Sequence, residues 1–258
     1  MDNLKISAKQ LGNLVKENFC PRCFYIGYKI QFRYPWTVFA GILSKMDSLQ
    51  KKSVTKYYEK NGHLPAWLEA EGIIGKPLKS PGPKKFRTEV AGVTLSGSID
   101  LLLEKPNGEL IIIDFKTASP KNGSDPFMPV YDIQLQGYAK IAEELGLGKV
   151  TELYLVYFEA ETQIDEEIIC GYVEEETLDV PFKVTVKKLA LKTEEHLLNL
   201  IEQFKTIVTA ETLPEAQPGC PDCQKINHIL NLIGPVKAEL QEKPVDLTLE
   251  KRGLMVEN

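Results

Sequence analysis

Histidine is scarce in this chain. Its three copies among 258 residues, His63, His196 and His228, are too scattered to suggest a hydrolase triad. No apolar run approaches the ~20 residues needed to cross a bilayer. There is no P-loop and no dinucleotide-type glycine fingerprint, so a nucleotide-driven helicase is not encoded. Internal repeats and low-complexity tracts are also missing. The opening Met1-Asp2-Asn3-Leu4-Lys5 lacks the charged-then-apolar order of a secretory signal. That predicts a cytoplasmic protein with reduced thiols and no membrane partner.

What is present fits an ordinary globular chain. Hydrophobic residues make up 43% and charged residues 26%, enough for one large domain with additions or two small ones. The net charge of −5 argues at first against nucleic acid, but it hides segregation. Between Glu71 and Glu89 no acid occurs, while Lys76, Lys79, Lys84, Lys85 and Arg87 stand among prolines and glycines, a loop able to track a phosphate backbone. From Pro21 to Met46 no acid occurs either. There Arg22, Lys29, Arg33 and Lys45 alternate with Phe24, Tyr25, Tyr28, Phe32, Tyr34 and Trp36. Such aromatics either stack on single-stranded bases or form core.

The chemistry concentrates in two apolar runs that read as a hairpin. The first is Ser96-Gly97-Ser98-Ile99-Asp100-Leu101-Leu102-Leu103. A turn at Pro106-Asn107-Gly108 follows, and then Leu110-Ile111-Ile112-Ile113-Asp114-Phe115-Lys116. Strand alternation sends Asp114 and Lys116 to one face and Phe115 to the other. The carboxylates of Asp100 and Asp114 can hold Mg²⁺ or Mn²⁺, and the backbone carbonyl of Phe115 can add a third oxygen. A lysine beside the ion can orient the attacking water and offset charge on a phosphate. Metal-assisted phosphodiester hydrolysis is the chemistry implied. Downstream, Gln134 and Tyr138 lie four apart on the helix opened by Tyr131-Asp132-Ile133, and so share a face.

On these motifs the chain resembles the PD-(D/E)XK nuclease superfamily, specifically its RecB-like and Cas4-like branch with the Q-x-x-x-Y signature. The resemblance implies that Asp100 and Asp114 bind catalytic metal and that Lys116 activates the water. It also implies that Gln134 and Tyr138 steer the DNA backbone or the water. Many relatives carry a metal-binding histidine four residues after a helix-opening glycine; after Gly41 that position is Lys45, and Asp47 is the nearest acid. One or two catalytic ions therefore remain open. Glu89, ahead of the Asp100 motif, is a candidate further acid or an edge-strand surface charge.

Cys20-Pro21-Arg22-Cys23 and Cys220-Pro221-Asp222-Cys223 flank almost the whole core. Together they make a four-thiolate site for a thiophilic metal. Paired C-x-x-C knuckles alone favour Zn²⁺, whereas the resemblance implies a [4Fe-4S] cluster, although relatives usually place one cysteine before the core and three after it. Cys170, in a strand-like run, reads as a packed thiol. Closing so long a loop gives the metal a structural role.

The predicted elements are a helix capped by Ser7 to about residue 19, delivering Cys20 and Cys23, and a second helix over about 41–58. Strands follow over 86–90, 93–103 and 109–116. The Gln134 helix ends near 146. Further strands cover 150–158, 168–172 and 182–191, and a long helix capped by Thr193 carries Leu197, Leu200, Ile201, Phe204 and Val208 on one stripe. The expected architecture is α/β: a restriction-endonuclease-like core, a mixed central sheet flanked by helices, with N- and C-terminal helical segments joined at the cysteines. Expected segments are 1–60, N-terminal helices; 61–192, nuclease core; 193–234, C-terminal helix and second cysteine pair; and 235–258, a tail. The function expected is a metal-dependent deoxyribonuclease, exonuclease before endonuclease. It would act on single-stranded DNA or DNA ends in repair, recombination or CRISPR spacer processing, with protein partners in a DNA-processing complex. The alternative is a weak or inactive DNA-end-binding module of such a complex.

Overall fold

The Leu110–Lys116 run is apolar at every position up to Asp114 because both of its faces are covered. The computed structural model describes residues 4–33, 41–118, 125–161, 176 and 178–233. In chain order, strand β1 (Leu4–Ser7) leads into a one-turn helix α1 (Ala8–Leu11) and a 3-10 turn (Gly12–Val15). Helices α2 (Pro21–Lys29), α3 (Gly41–Asn61) and α4 (Ala66–Glu69) come next. Then come β2 (Lys76–Leu78), β3 (Arg87–Val90), β4 (Val93–Ser96), β5 (Leu101–Glu104) and β6 (Leu110–Lys116). Helix α5 (Met128–Glu144), β7 (Val150–Ala160), β8 (Phe182–Leu189), α6 (Glu194–Val208) and α7 (Pro221–Ile233) complete the described chain.

The main sheet runs β2-β5-β6-β7-β8, and a smaller one runs β1-β4-β3. Strand β6 is central, antiparallel to β5 and parallel to β7, so the sheet is mixed and flanked by helices as expected. Its alternation divides the core in two. Leu110 and Ile112 pack with Ile133, Leu135 and Ile141 of α5 and with Ile201 and Phe204 of α6. Ile111, Ile113 and Phe115 pack with Val54 of α3 and Leu68 of α4. Asp114 and Lys116 share the α5 face with Ile112, which is where alternation puts them.

Two expectations change. The first helix does not run to residue 19. Ser7 does cap it, with its Oγ accepting from Gln10 N at 3.2 Å, but α1 ends after one turn, and Leu4–Ser7 ahead of it pairs in parallel with β4. The single strand over 93–103 is two strands in different sheets, parted at Gly97. A β-carbon on Gly97 would stand 2.4 Å from the Tyr138 ring, so the glycine lets the chain turn beneath that tyrosine. Of the two readings of the aromatics after Pro21, the described ones take the core: Phe24 is buried edge-on to Phe19, Phe32 and Phe204, and Tyr28 packs edge-on to Phe204. Tyr34, Trp36, Cys170, the expected strand over 168–172 and the tail lie outside the described residues.

Candidate active site

The hairpin forms as read, with Gly108 at φ +82° in its turn and Leu101 in register with Ile113. Beyond that last pair the Asp100 side chain continues the pairing, its Oδ2 accepting from the Phe115 amide at 2.9 Å. Asp100 is thereby fixed beside Asp114. Helix α5 adds the next layer. Gln134 Nε2 donates to Asp114 Oδ1 at 2.9 Å and to the Tyr138 hydroxyl oxygen at 2.7 Å, while its Oε1 accepts from Lys116 Nζ at 3.1 Å. The Lys116 ammonium also stands 2.5 Å from Asp114 Oδ2 and 4.2 Å from the centre of the Tyr131 ring. All five residues singled out in the sequence therefore meet at one point of the sheet. Gln134 and Tyr138 are each 4% exposed and Asp114 1%, so the three are buried together. Gly137 between them lets α5 approach the start of α1: a β-carbon there would meet Ala8 Cβ at 2.6 Å.

One participant was not anticipated. Lys51 of α3 places its Nζ 2.9 Å from Asp100 Oδ1 and 2.6 Å from Asp47 Oδ2. Asp47 reaches the site only through this lysine. Lys45 is exposed on the helix, and Glu89 is exposed on β3, opposite Thr94. Nothing local marks Lys51 in the sequence, since Asp-x-x-x-Lys spacings such as Asp47 to Lys51 are common on solvated helices. At the opening, Gln50 Nε2 donates to Thr117 Oγ1 at 3.0 Å. The Ser80 hydroxyl donates to the Ile99 carbonyl at 3.4 Å, which docks the basic loop next to Asp100. In that loop Lys76 pairs with Glu104, whereas Lys79, Lys84, Lys85 and Arg87 are exposed and have no acidic partner among the described residues.

The electrostatics suit a cation. Burial pushes the Asp100 carboxyl up, the charge of Asp114 adds to this, and Lys51 with the Phe115 amide opposes it, leaving it at about 6. Burial likewise raises Asp114 against the pull of Lys116. The buried Oδ2 of Asp114 is met by the Lys116 ammonium and by no other donor among the described residues. Two crowded carboxylates, whose oxygens are held by the ammonium groups of Lys51 and Lys116, are the hard donors that Mg²⁺ or Mn²⁺ takes.

The cysteine pairs are built alike. Cys20 and Cys220 each immediately precede a helix, α2 or α7, whose first residue is proline and whose third is the pair's second cysteine. Helix N-termini favour thiolates. The four Sγ atoms lie within 4.8 Å of one another. The Gln217 amide donates to Cys20 Sγ at 3.3 Å, and Arg22 Nε donates to the Pro214 carbonyl at 2.9 Å, tying the two ends of the chain. Cys20 and Cys223 are buried. The donor set fits a thiophilic metal.

No curated protein matches the sequence. Among solved structures the chain is similar to one described as "Crystal structure of SSO0001", at 15% identity and a TM-score of 0.37, covering 92% of this chain and 88% of that one. The family model of the PD-(D/E)XK nuclease superfamily matches residues 42–226, more than half of the chain, including all five motif residues and the second cysteine pair. By that match, this chain belongs to the PD-(D/E)XK nuclease superfamily.

Proposed function

We propose that this chain is a cytoplasmic, divalent-metal-dependent DNA nuclease of the RecB-like and Cas4-like branch, an exonuclease acting on single-stranded DNA or DNA ends. The observation that carries the reading is the closed network of Asp114, Lys116, Gln134 and Tyr138 beside Asp100. Asp100 and Asp114, with the Phe115 carbonyl, would hold Mg²⁺ or Mn²⁺. When bound, the ion acidifies water and stabilises charge on the scissile phosphate. Lys116 faces the same phosphate, orients the attacking water and offsets the developing negative charge. Gln134 is a positioning residue: its amide fixes Asp114 on one side and Lys116 on the other. Tyr138 fixes Gln134 in turn. Lys79, Lys84, Lys85 and Arg87 take the phosphates flanking the cut.

End-labelled single- and double-stranded DNA incubated with Mg²⁺ or Mn²⁺ tests this directly. A ladder shortening from one end is the expected result and gives the polarity. Intact DNA under both metals, with binding retained, would replace the nuclease by an end-binding module of a larger DNA-processing complex.

Lys51 has a predictable effect. Its ammonium occupies Asp100 Oδ1 and so competes with a divalent ion for that oxygen. Lys51→Met is expected to tighten Mg²⁺ binding by about tenfold, equivalent to about 1.4 kcal/mol, in titration calorimetry. Unchanged affinity would place Lys51 outside the ion's reach.

A further inference from the structure

We infer that the four-cysteine centre holds a single tetrahedral zinc ion and not a [4Fe-4S] cluster. The inference rests on reading Cys20, Cys23, Cys220 and Cys223 as a metal clamp, and it follows from their spacing. Cys20 and Cys223 Sγ are 3.6 Å apart, Cys23 and Cys220 are 3.6 Å apart, and Cys23 and Cys223 are 3.3 Å apart. No pair exceeds 4.8 Å. Four sulfurs bound at about 2.3 Å to one central ion stand about 3.8 Å from each other. Cysteines on a cubane sit outside four irons, and their sulfurs stand about 6 Å apart. The observed spread brackets the first value and falls short of the second.

The surroundings agree. A zinc ion with four thiolates carries net negative charge. Here the N-termini of α2 and α7 converge on it, and the Gln217 amide donates to Cys20 Sγ. The thiols are free, with no disulfide competing for them. The equal 2+2 division matches zinc knuckles, each pair contributing two corners of one tetrahedron. Between Fe²⁺ and Zn²⁺, the same sulfur site also binds zinc more tightly.

The test uses the full wild-type chain without a histidine tag, produced in iron-supplemented cells and purified without oxygen. Elemental analysis is expected to give one zinc per chain, no acid-labile sulfide and colourless protein. Replacement by Co²⁺ is expected to produce the visible bands of tetrahedral thiolate cobalt. Iron with labile sulfide and brown charge-transfer absorption would overturn zinc while leaving the clamp intact. A folded chain holding no metal would overturn clamp and zinc together. Neither result depends on nuclease activity, so a failure here is distinguishable from an absence of DNA cleavage.

Discussion

Asp100→Asn is expected to melt about 5–10 °C above the wild-type chain at pH 8 in the absence of divalent metal, and to have lost nuclease activity. In the folded chain the Asp100 carboxyl lies at about 6, against an ordinary value of 3.8. Between these two pH values the folded form holds a proton that the unfolded form releases, so stability falls as pH rises through the window. Above it, the charged and metal-free site carries the whole penalty. A difference of about two pKa units corresponds to about 3 kcal/mol.

Asparagine removes that charge yet keeps an oxygen for the Phe115 amide and leaves Lys51 paired with Asp47. The gap in melting temperature should close as pH falls towards 4. Added Mg²⁺ should stabilise the wild type, because it binds only the folded form, and leave the variant unmoved. A variant that melts lower than wild type at pH 8 would mean that Asp100 is held by structure and not in readiness for a cation.

Stripping the cysteine centre should have an equally large effect, on a different observable. The loop from Cys23 to Cys220 spans 197 residues. Closing it costs an unlinked chain about 5 kcal/mol by loop entropy alone. Structural zinc in small domains contributes about 10–16 kcal/mol of folding free energy, as much as the whole stability of a typical domain. Prolonged chelation is therefore expected to lower the melting temperature steeply and to reduce helical circular dichroism, as α2 and α7 lose their common anchor. Excess Mg²⁺ alone should not reverse the change, whereas the thiophilic metal followed by Mg²⁺ should. An unchanged melting temperature after complete metal removal would show that Phe24 and Tyr28 against Phe204 hold these ends together without the clamp.

Which features were legible in the sequence follows from the range of the interactions behind them. Asp114 and Lys116 could be placed on one face because strand alternation is local and Phe115 separates them. Gln134 and Tyr138 could be placed together because four residues make one helical turn. The cysteine pairs announced themselves through identical spacing. Lys51 could not be found in this way: its partner Asp100 is reached only through the packing of α3 beside the hairpin, and no short-range pattern records that contact. The strand Leu4–Ser7 was equally silent, since its partner β4 lies some ninety residues away and four residues carry too little alternation. Around Gly97 the alternation of Val93, Leu95, Ile99, Leu101 and Leu103 keeps its phase, with the glycine at an apolar position. The break between sheets falls where Tyr138 arrives from α5 against Gly97, a contact no local pattern records.

The central claim is that Asp100, Asp114 and Lys116 form one hydrolytic site, with the lysine acting on the reaction and not on the fold. Single-turnover cleavage by Lys116→Met, measured beside wild type at saturating Mg²⁺, tests it most directly. The account predicts metal binding no weaker than wild type, since the Lys116 ammonium leaves Asp114 Oδ2, DNA binding close to wild type, and a cleavage rate lower by about 10²–10⁴-fold, the usual contribution of a positioned proton-handling group. Cleavage within a few-fold of wild type would contradict it, and would reduce the Lys116–Asp114 pair to a structural contact.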